Sequence, residues 1–139
     1  MKIAIIGLGF VGLSLCSVLA SKGIRTIGID SDIRKCSKIA EGIPTFFEPN
    51  LEKTLKKALK RKLIVTNKLS TINDCDFIFV TVGTPQKKNG DIDLSMIKTV
   101  TGDIGKLLSK NKRKPIILIK STVIPGTMKI GRASCRERV

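Results

Sequence analysis

The sequence predicts an α/β domain built on a doubly wound parallel sheet with helices on both faces. Three observations carry that expectation. Short β-branched runs alternate with amphipathic segments along the chain. The runs are near-continuous in Ile, Val and Leu, which is the pattern of strands covered on both sides. The first run also passes straight into a glycine turn that opens a helix. With 139 residues, 42% of them hydrophobic, the chain can bury a core and is too apolar to remain disordered. No repeat, low-complexity linker or Ser/Gly-rich spacer divides it, so one domain is expected.

The elements follow in order. Lys2–Ile6 reads as a strand, and Phe10–Lys22 as a helix with Val11, Leu15, Val18 and Leu19 at helical spacing, stopped by Gly23. Arg25–Ile29 is a second strand. Ser31 or Asp32 can cap a helix running to Glu41, with Gly42 just past its end. Pro44 to Pro49 is a loop, and Pro49 suits the first turn of a basic helix whose Leu51, Leu55, Ala58 and Leu59 form one inward stripe. Leu63–Thr66 is a short strand and Asp76–Val82 a fully buried one. Gly83 to Asp91 is a polar loop, and Asp93 can cap a helix with Leu94, Ile97, Val100, Ile104, Leu107 and Leu108 on one face. Pro115–Ile119 is the fifth strand. Right-handed crossovers place the first strand centrally, the second and third on one side and the fourth and fifth on the other.

Composition excludes several function classes. The formal charge is +15, but six of the basic residues (Lys53, Lys56, Lys57, Lys60, Arg61 and Lys62) fall in the basic helix, and the chain has no Trp or Tyr to stack bases. A solvated lysine-rich surface is expected, with no nucleic-acid partner. The apolar runs are strand-sized, so no membrane span is expected, and Ile3–Ile6 runs into glycines rather than a signal-peptide core. The cytoplasm is the expected compartment. Cys16, Cys36, Cys75 and Cys135 are far apart and the chain has no His, so reduced thiols are expected and no metal site.

Gly7-Leu8-Gly9-Phe10-Val11-Gly12 is G-x-G-x-x-G between the first strand and the first helix. Gly7 permits the tight turn, Gly9 leaves room for a pyrophosphate against the backbone, and Gly12 lets helix and strand pack closely. The helix N-terminus then offers N–H groups and positive potential to the diphosphate. Asp30 ends the second strand 18 residues beyond Gly12, near the spacing of a carboxylate that accepts the adenosine ribose hydroxyls. Such a carboxylate repels a 2′-phosphate, so NAD rather than NADP is the expected cofactor.

Further segments carry a family resemblance. Val80-Thr81-Val82-Gly83-Thr84-Pro85 with Gly90-Asp91-Ile92-Asp93-Leu94-Ser95, and Lys120-Ser121-Thr122-Val123-Ile124-Pro125-Gly126-Thr127, resemble the VxTP…DLS and KSTVxPGT segments of the UDP-glucose/GDP-mannose dehydrogenase family. Gly42 to Leu51 is similar to its G-x-P-x-x-EPGL stretch, with Asn50 where the family usually has glycine. The resemblance covers Met1 to Lys129. It implies a Rossmann-like sheet, incomplete at the C-terminal end, with Val11 at the pyrophosphate, Asp30 and Lys35 at the adenosine ribose, and Thr84-Pro85 and Ser121-Thr122 beside the cofactor.

By the same resemblance the parent enzyme oxidises the C6 hydroxymethyl of a UDP-sugar, of UDP-glucose or UDP-N-acetylhexosamine type, to a carboxylate. Two NAD are consumed, through a thiohemiacetal and a thioester on a cysteine in a later part of the family's chain. No catalytic residue is therefore expected here, the fragment is expected to be inactive, and the full-length protein is expected to be a homo-oligomer. A stand-alone NAD-sensing or binding module is the alternative. Residues 130–139 (IGRASCRERV) resemble the forward translation of a synthetic sequencing adapter and are read as a non-native tail after a partial NAD-binding domain, residues 1–129. Without the tail's three arginines and one glutamate the chain carries 23 basic and 10 acidic residues, or +13.

Overall fold

The protein is described as a computed structural model over residues 1–109, 111 and 114–123. The tail from Ile130 to Val139 and the Pro125-Gly126-Thr127 segment lie outside the described residues. The strands β1 (Lys2–Ile6), β2 (Arg25–Ile29), β3 (Leu63–Thr66), β4 (Phe77–Val80) and β5 (Ile116–Ile119) form one sheet in the order β3-β2-β1-β4-β5. All four pairings are parallel, with Ile3 opposite Thr26 on one side and Phe77 on the other. This is the expected order, centred on the first strand.

Alternation along β1 divides the core in two. Ile3 and Ile5 point into a cluster with Leu13, Cys16 and Ala20 of α1 (Phe10–Ser21), Ile39 of α2 (Ile33–Ala40), and Leu51, Leu55 and Ala58 of α3 (Leu51–Leu59). Ala4 and Ile6 face the opposite cluster, which holds Ile78, Val80 and the buried Ile97 and Ile104 of α4 (Ser95–Leu108). Period-two strands between helices of period 3.6 thus bury both faces of the sheet. The doubly wound class follows directly.

Local chemistry sets the boundaries, and several of them differ from expectation. The Asp32 side chain accepts from the Arg34 and Lys35 N–H groups and caps α2. Pro49 does not sit in the first turn of α3, because Asn50 takes the N-cap in the left-handed region at φ 65° and separates Pro49 from the helix. Asn tolerates that region better than other side chains, which suits a position where the resembled family has glycine. Lys60 is the C-cap and Arg61 and Lys62 lie beyond it, so the basic run is part helix and part turn. The fourth strand is shorter than Asp76–Val82, since its partner β1 leaves the sheet at Gly7, and it is only alternately buried, with Phe77 and Phe79 half-buried against the α1 side of the core. A 3-10 helix, Leu69–Asp74, precedes it without having been anticipated. Asp93 stands one residue outside the N-cap of α4, which is Leu94, and its carboxylate accepts the Ser95 N–H at 2.9 Å. Among the described residues no helix is long and apolar enough to cross a membrane.

Candidate functional site

The site begins where β1 ends. Gly7 has φ 96°, and a Cβ there would lie 2.9 Å from the Val82 backbone, so only glycine fits both the turn and the approach to the end of β4. A Cβ on Gly12 would stand 1.9 Å from the Gly7 carbonyl oxygen, which explains the third glycine as close packing of helix on strand. Gly9 is the N-cap of α1, carries no side-chain cap, and would meet nothing within 4 Å if it had a Cβ. The first-turn N–H groups of α1 have no intrahelical acceptor and face that open space. It is the cradle a diphosphate requires.

Asp30 closes the adjacent wall at the end of β2 and is only 8% exposed. Its Oδ2 accepts the Leu8 N–H at 2.8 Å and the Lys35 Nζ at 2.9 Å, and its Oδ1 accepts the Asp32 N–H at 3.0 Å. Burial pushes this carboxyl up, but the Lys35 ammonium and the two backbone donors outweigh it and hold its pKa below the ordinary value of 3.8. A carboxylate offers about four lone-pair sites, so three donors leave one for a ligand hydroxyl.

These groups border a cleft of about 910 Å³ at the C-terminal ends of the strands. That is where ligands enter open parallel sheets. The sequence-predicted Gly7, Gly9, Phe10 and Val11 line it at the turn, and Asp30 and Lys35 at one end. Thr84, Ser121 and Thr122 line the other. Three expected residues stand outside the lining. Leu8 is fully buried and contributes only its backbone N–H, Gly12 works from beneath the turn, and Pro85 follows Thr84 on the exposed loop. Phe10 is 69% exposed and its ring meets that of Phe46 at a centroid distance of 4.4 Å.

Sequence reasoning missed part of the wall. Asn67 and Leu69 after β3, with Thr99 and Asp103 of α4, also border the cleft and carry no motif. Thr81 could have been noticed as the one hydroxyl inside the apolar run Phe77–Val82. The described cysteines Cys16, Cys36 and Cys75 are free and buried. Burial pushes the Cys16 thiol up to about 12 and Cys75 to about 11, and raises Cys36 too, the reverse of an activated nucleophile.

A glycine turn on a helix N-terminus, a buried carboxylate on the next strand and a cleft at the carboxyl edge of a parallel sheet define a Rossmann-type dinucleotide-binding domain. Comparison with known proteins narrows the class. The NAD binding domain of the UDP-glucose/GDP-mannose dehydrogenase family matches residues 1–137. GDP-mannose 6-dehydrogenase of Pseudomonas aeruginosa is 36% identical over 130 residues, covering 92% of this chain and 30% of that protein. A ternary complex of GDP-mannose dehydrogenase from Pseudomonas aeruginosa superposes with a TM-score of 0.90 at 37% identity, over 93% of this chain and 30% of the other. A UDP-glucose dehydrogenase from Pyrobaculum islandicum gives 0.92 at 28% identity, over 99% and 32%. The chain belongs to the UDP-glucose/GDP-mannose dehydrogenase family and carries its NAD-binding domain. It spans about 30% of the length of the curated relatives it matches.

Proposed function

We propose that the chain supplies the NAD-binding part of a nucleotide-sugar 6-dehydrogenase, an oxidoreductase that converts the C6 hydroxymethyl of a nucleoside-diphosphate sugar to a carboxylate. The observation that carries this is the cleft built by Gly9, the free end of α1 and the anchored Asp30, in a chain of this family. When bound, NAD supplies the hydride acceptor at its nicotinamide. In the proposal, the α1 N-terminus binds the diphosphate, Asp30 and Lys35 hold the adenosine ribose, and Thr84, Pro85, Ser121 and Thr122 border the nicotinamide end. The sequence reading favoured a UDP-sugar. Relatives named for GDP-mannose and structures named for UDP-glucose resemble the chain alike, which supports a nucleoside-diphosphate hexose as the substrate class.

The test is calorimetric titration of the 139-residue chain with NAD, followed by absorbance at the NADH band with UDP-glucose and with GDP-mannose. Weak NAD binding and no NADH are expected, because the thiol nucleophile and its acid/base partners belong to the part of the relatives beyond this chain. Absence of NAD binding overturns the cofactor site, and turnover overturns the placement of the chemistry. In the same proposal residues 1–129 are the folding unit and residues 130–139 a non-native tail, although the family match runs to residue 137. Deleting the tail should leave thermal stability unchanged; a loss of more than about 1 kcal/mol would refute that reading.

A further inference from the structure

One peptide unit in the glycine turn is gripped from both ends. The Gly7 carbonyl accepts the Thr81 hydroxyl at 2.7 Å, and the Leu8 N–H, on the other side of the same unit, donates to Asp30 Oδ2 at 2.8 Å. The unit is trans, so its oxygen and hydrogen point in opposite directions. A hydroxyl at the end of β4 and a carboxylate at the end of β2 therefore hold one rigid plate between them. Sheet pairing does not require this hydroxyl, because the Thr81 backbone N–H already reaches the Ile6 carbonyl at 2.8 Å. The hydroxyl also approaches that carbonyl at 3.0 Å, but it has one proton and its shorter contact is to Gly7.

Orientation matters here because Gly7 sits at φ 96°, where the lack of a Cβ leaves rotation of the following peptide sterically cheap. A rotated unit would turn a carbonyl toward the Asp30 carboxylate in place of the Leu8 N–H. A hydrogen bond accepted at the carbonyl also polarises the unit and strengthens its N–H as a donor. We propose that Thr81 is a positioning residue for NAD binding: its hydroxyl fixes the Gly7–Leu8 peptide, whose N–H in turn fixes Asp30 for the adenosine ribose. The proposal rests on the NAD reading above. It links the strand bordering the nicotinamide end of the cleft to the residue that serves the ribose end.

The experiment is a double-mutant cycle on NAD affinity, using the 139-residue chain with Thr81→Val, Thr81→Ser, Asp30→Ala and the Thr81→Val/Asp30→Ala pair. Thr81→Val should weaken NAD about fivefold or more, as expected for one lost hydrogen bond, and Thr81→Ser should restore affinity to within about twofold of the parent. In the Asp30→Ala background Thr81→Val should change affinity by less than about twofold, because the group it positions is gone. An equal loss in both backgrounds, or parental affinity in Thr81→Val, overturns the proposal while leaving the NAD site intact. A parent chain that does not bind NAD overturns the site and the proposal together. Should Thr81→Val fail to fold, Thr81→Ala enters the same cycle, and amide exchange at Leu8 gives a ligand-free readout. Exchange about tenfold faster in Thr81→Ala than in Thr81→Ser is expected, and equal protection in the two overturns the coupling.

Discussion

At one end of the cleft the Asp30 carboxylate is already paired, whereas at the other the Thr84 and Thr122 hydroxyls stand open. Asp30 holds three donors drawn from the glycine turn, the start of α2 and Lys35. Among the described residues neither the Thr84 nor the Thr122 hydroxyl has a partner, whereas the Ser121 hydroxyl donates to the Val82 carbonyl at 2.6 Å. The first end is built from the glycine turn, the end of β2 and the start of α2, with Leu13 and Cys16 of α1 and Ile39 of α2 sharing one buried cluster with Ile3 and Ile5 of β1. The second is assembled from loops after β4 and β5. A prepaired end costs less to order on binding, so affinity should reside there.

The largest effect should come from Gly12→Ala. Its new Cβ would meet the Gly7 carbonyl at 1.9 Å, and the obstacle is backbone rather than a yielding side chain. Relief requires α1 to move off β1, which displaces the N–H groups proposed to hold the diphosphate. Overpacking of this kind costs about 1–3 kcal/mol or more, so the thermal midpoint should fall and NAD binding should vanish from calorimetry. A variant that binds NAD like the parent would show that the close packing beneath the turn does not shape the cradle.

Asp30→Ala comes next and separates ribose binding from the turn. Loss of a charged acceptor should weaken NAD by about 1–3 kcal/mol, and the gap between NAD and NADP should narrow because the charge opposing a 2′-phosphate is gone. Stability has a definite pH signature. The folded pKa of Asp30 lies below its ordinary 3.8, so its ionised form stabilises the fold above that value, and the contribution disappears as pH falls through the folded pKa. Urea midpoints of parent and variant should therefore differ most well above the ordinary carboxylate pKa and converge as pH falls through the lowered folded pKa of Asp30. A constant difference across that range would mean that the three hydrogen bonds to Asp30 do not favour its charged form.

Much of this contrast was legible in the sequence, and unevenly so. The glycines, Asp30 and the strand order follow from patterns whose physical causes are local: a turn without Cβ, a helix start and the handedness of crossovers. Asn50 in the left-handed region could be anticipated from the resembled EPGL stretch, but its effect on the start of α3 could not, since Pro49 alone fits a first turn. The double role of the Gly7–Leu8 peptide was invisible, because Thr81 lies 74 residues from Gly7 and only the sheet brings them together. Asn67, Thr99 and Asp103 were missed for the same reason, as the cleft wall they share is made by topology rather than by spacing.

The smallest effect should come from the open end, through Thr84→Val and Thr122→Val tested together. Each replacement keeps the branched shape and removes a hydroxyl that has no protein partner among the described residues. No internal hydrogen bond is broken, so stability should stay within about 0.5 kcal/mol of the parent. Affinity of the 139-residue chain for NAD should also change by less than about twofold, since these loops gain little from a ligand whose nicotinamide half is not enclosed from the other side. Both hydroxyls border the cleft, however, and in a longer protein that encloses the nicotinamide they would become orienting groups, where one hydrogen bond is worth about 0.5–1.5 kcal/mol. The informative measurement is therefore the same pair of substitutions in the 139-residue chain and at the matching positions of a full-length relative. A penalty that grows in the longer chain supports an end completed from beyond the sheet described here, whereas a penalty as large as that of Asp30→Ala in the short chain would erase the contrast between the two ends.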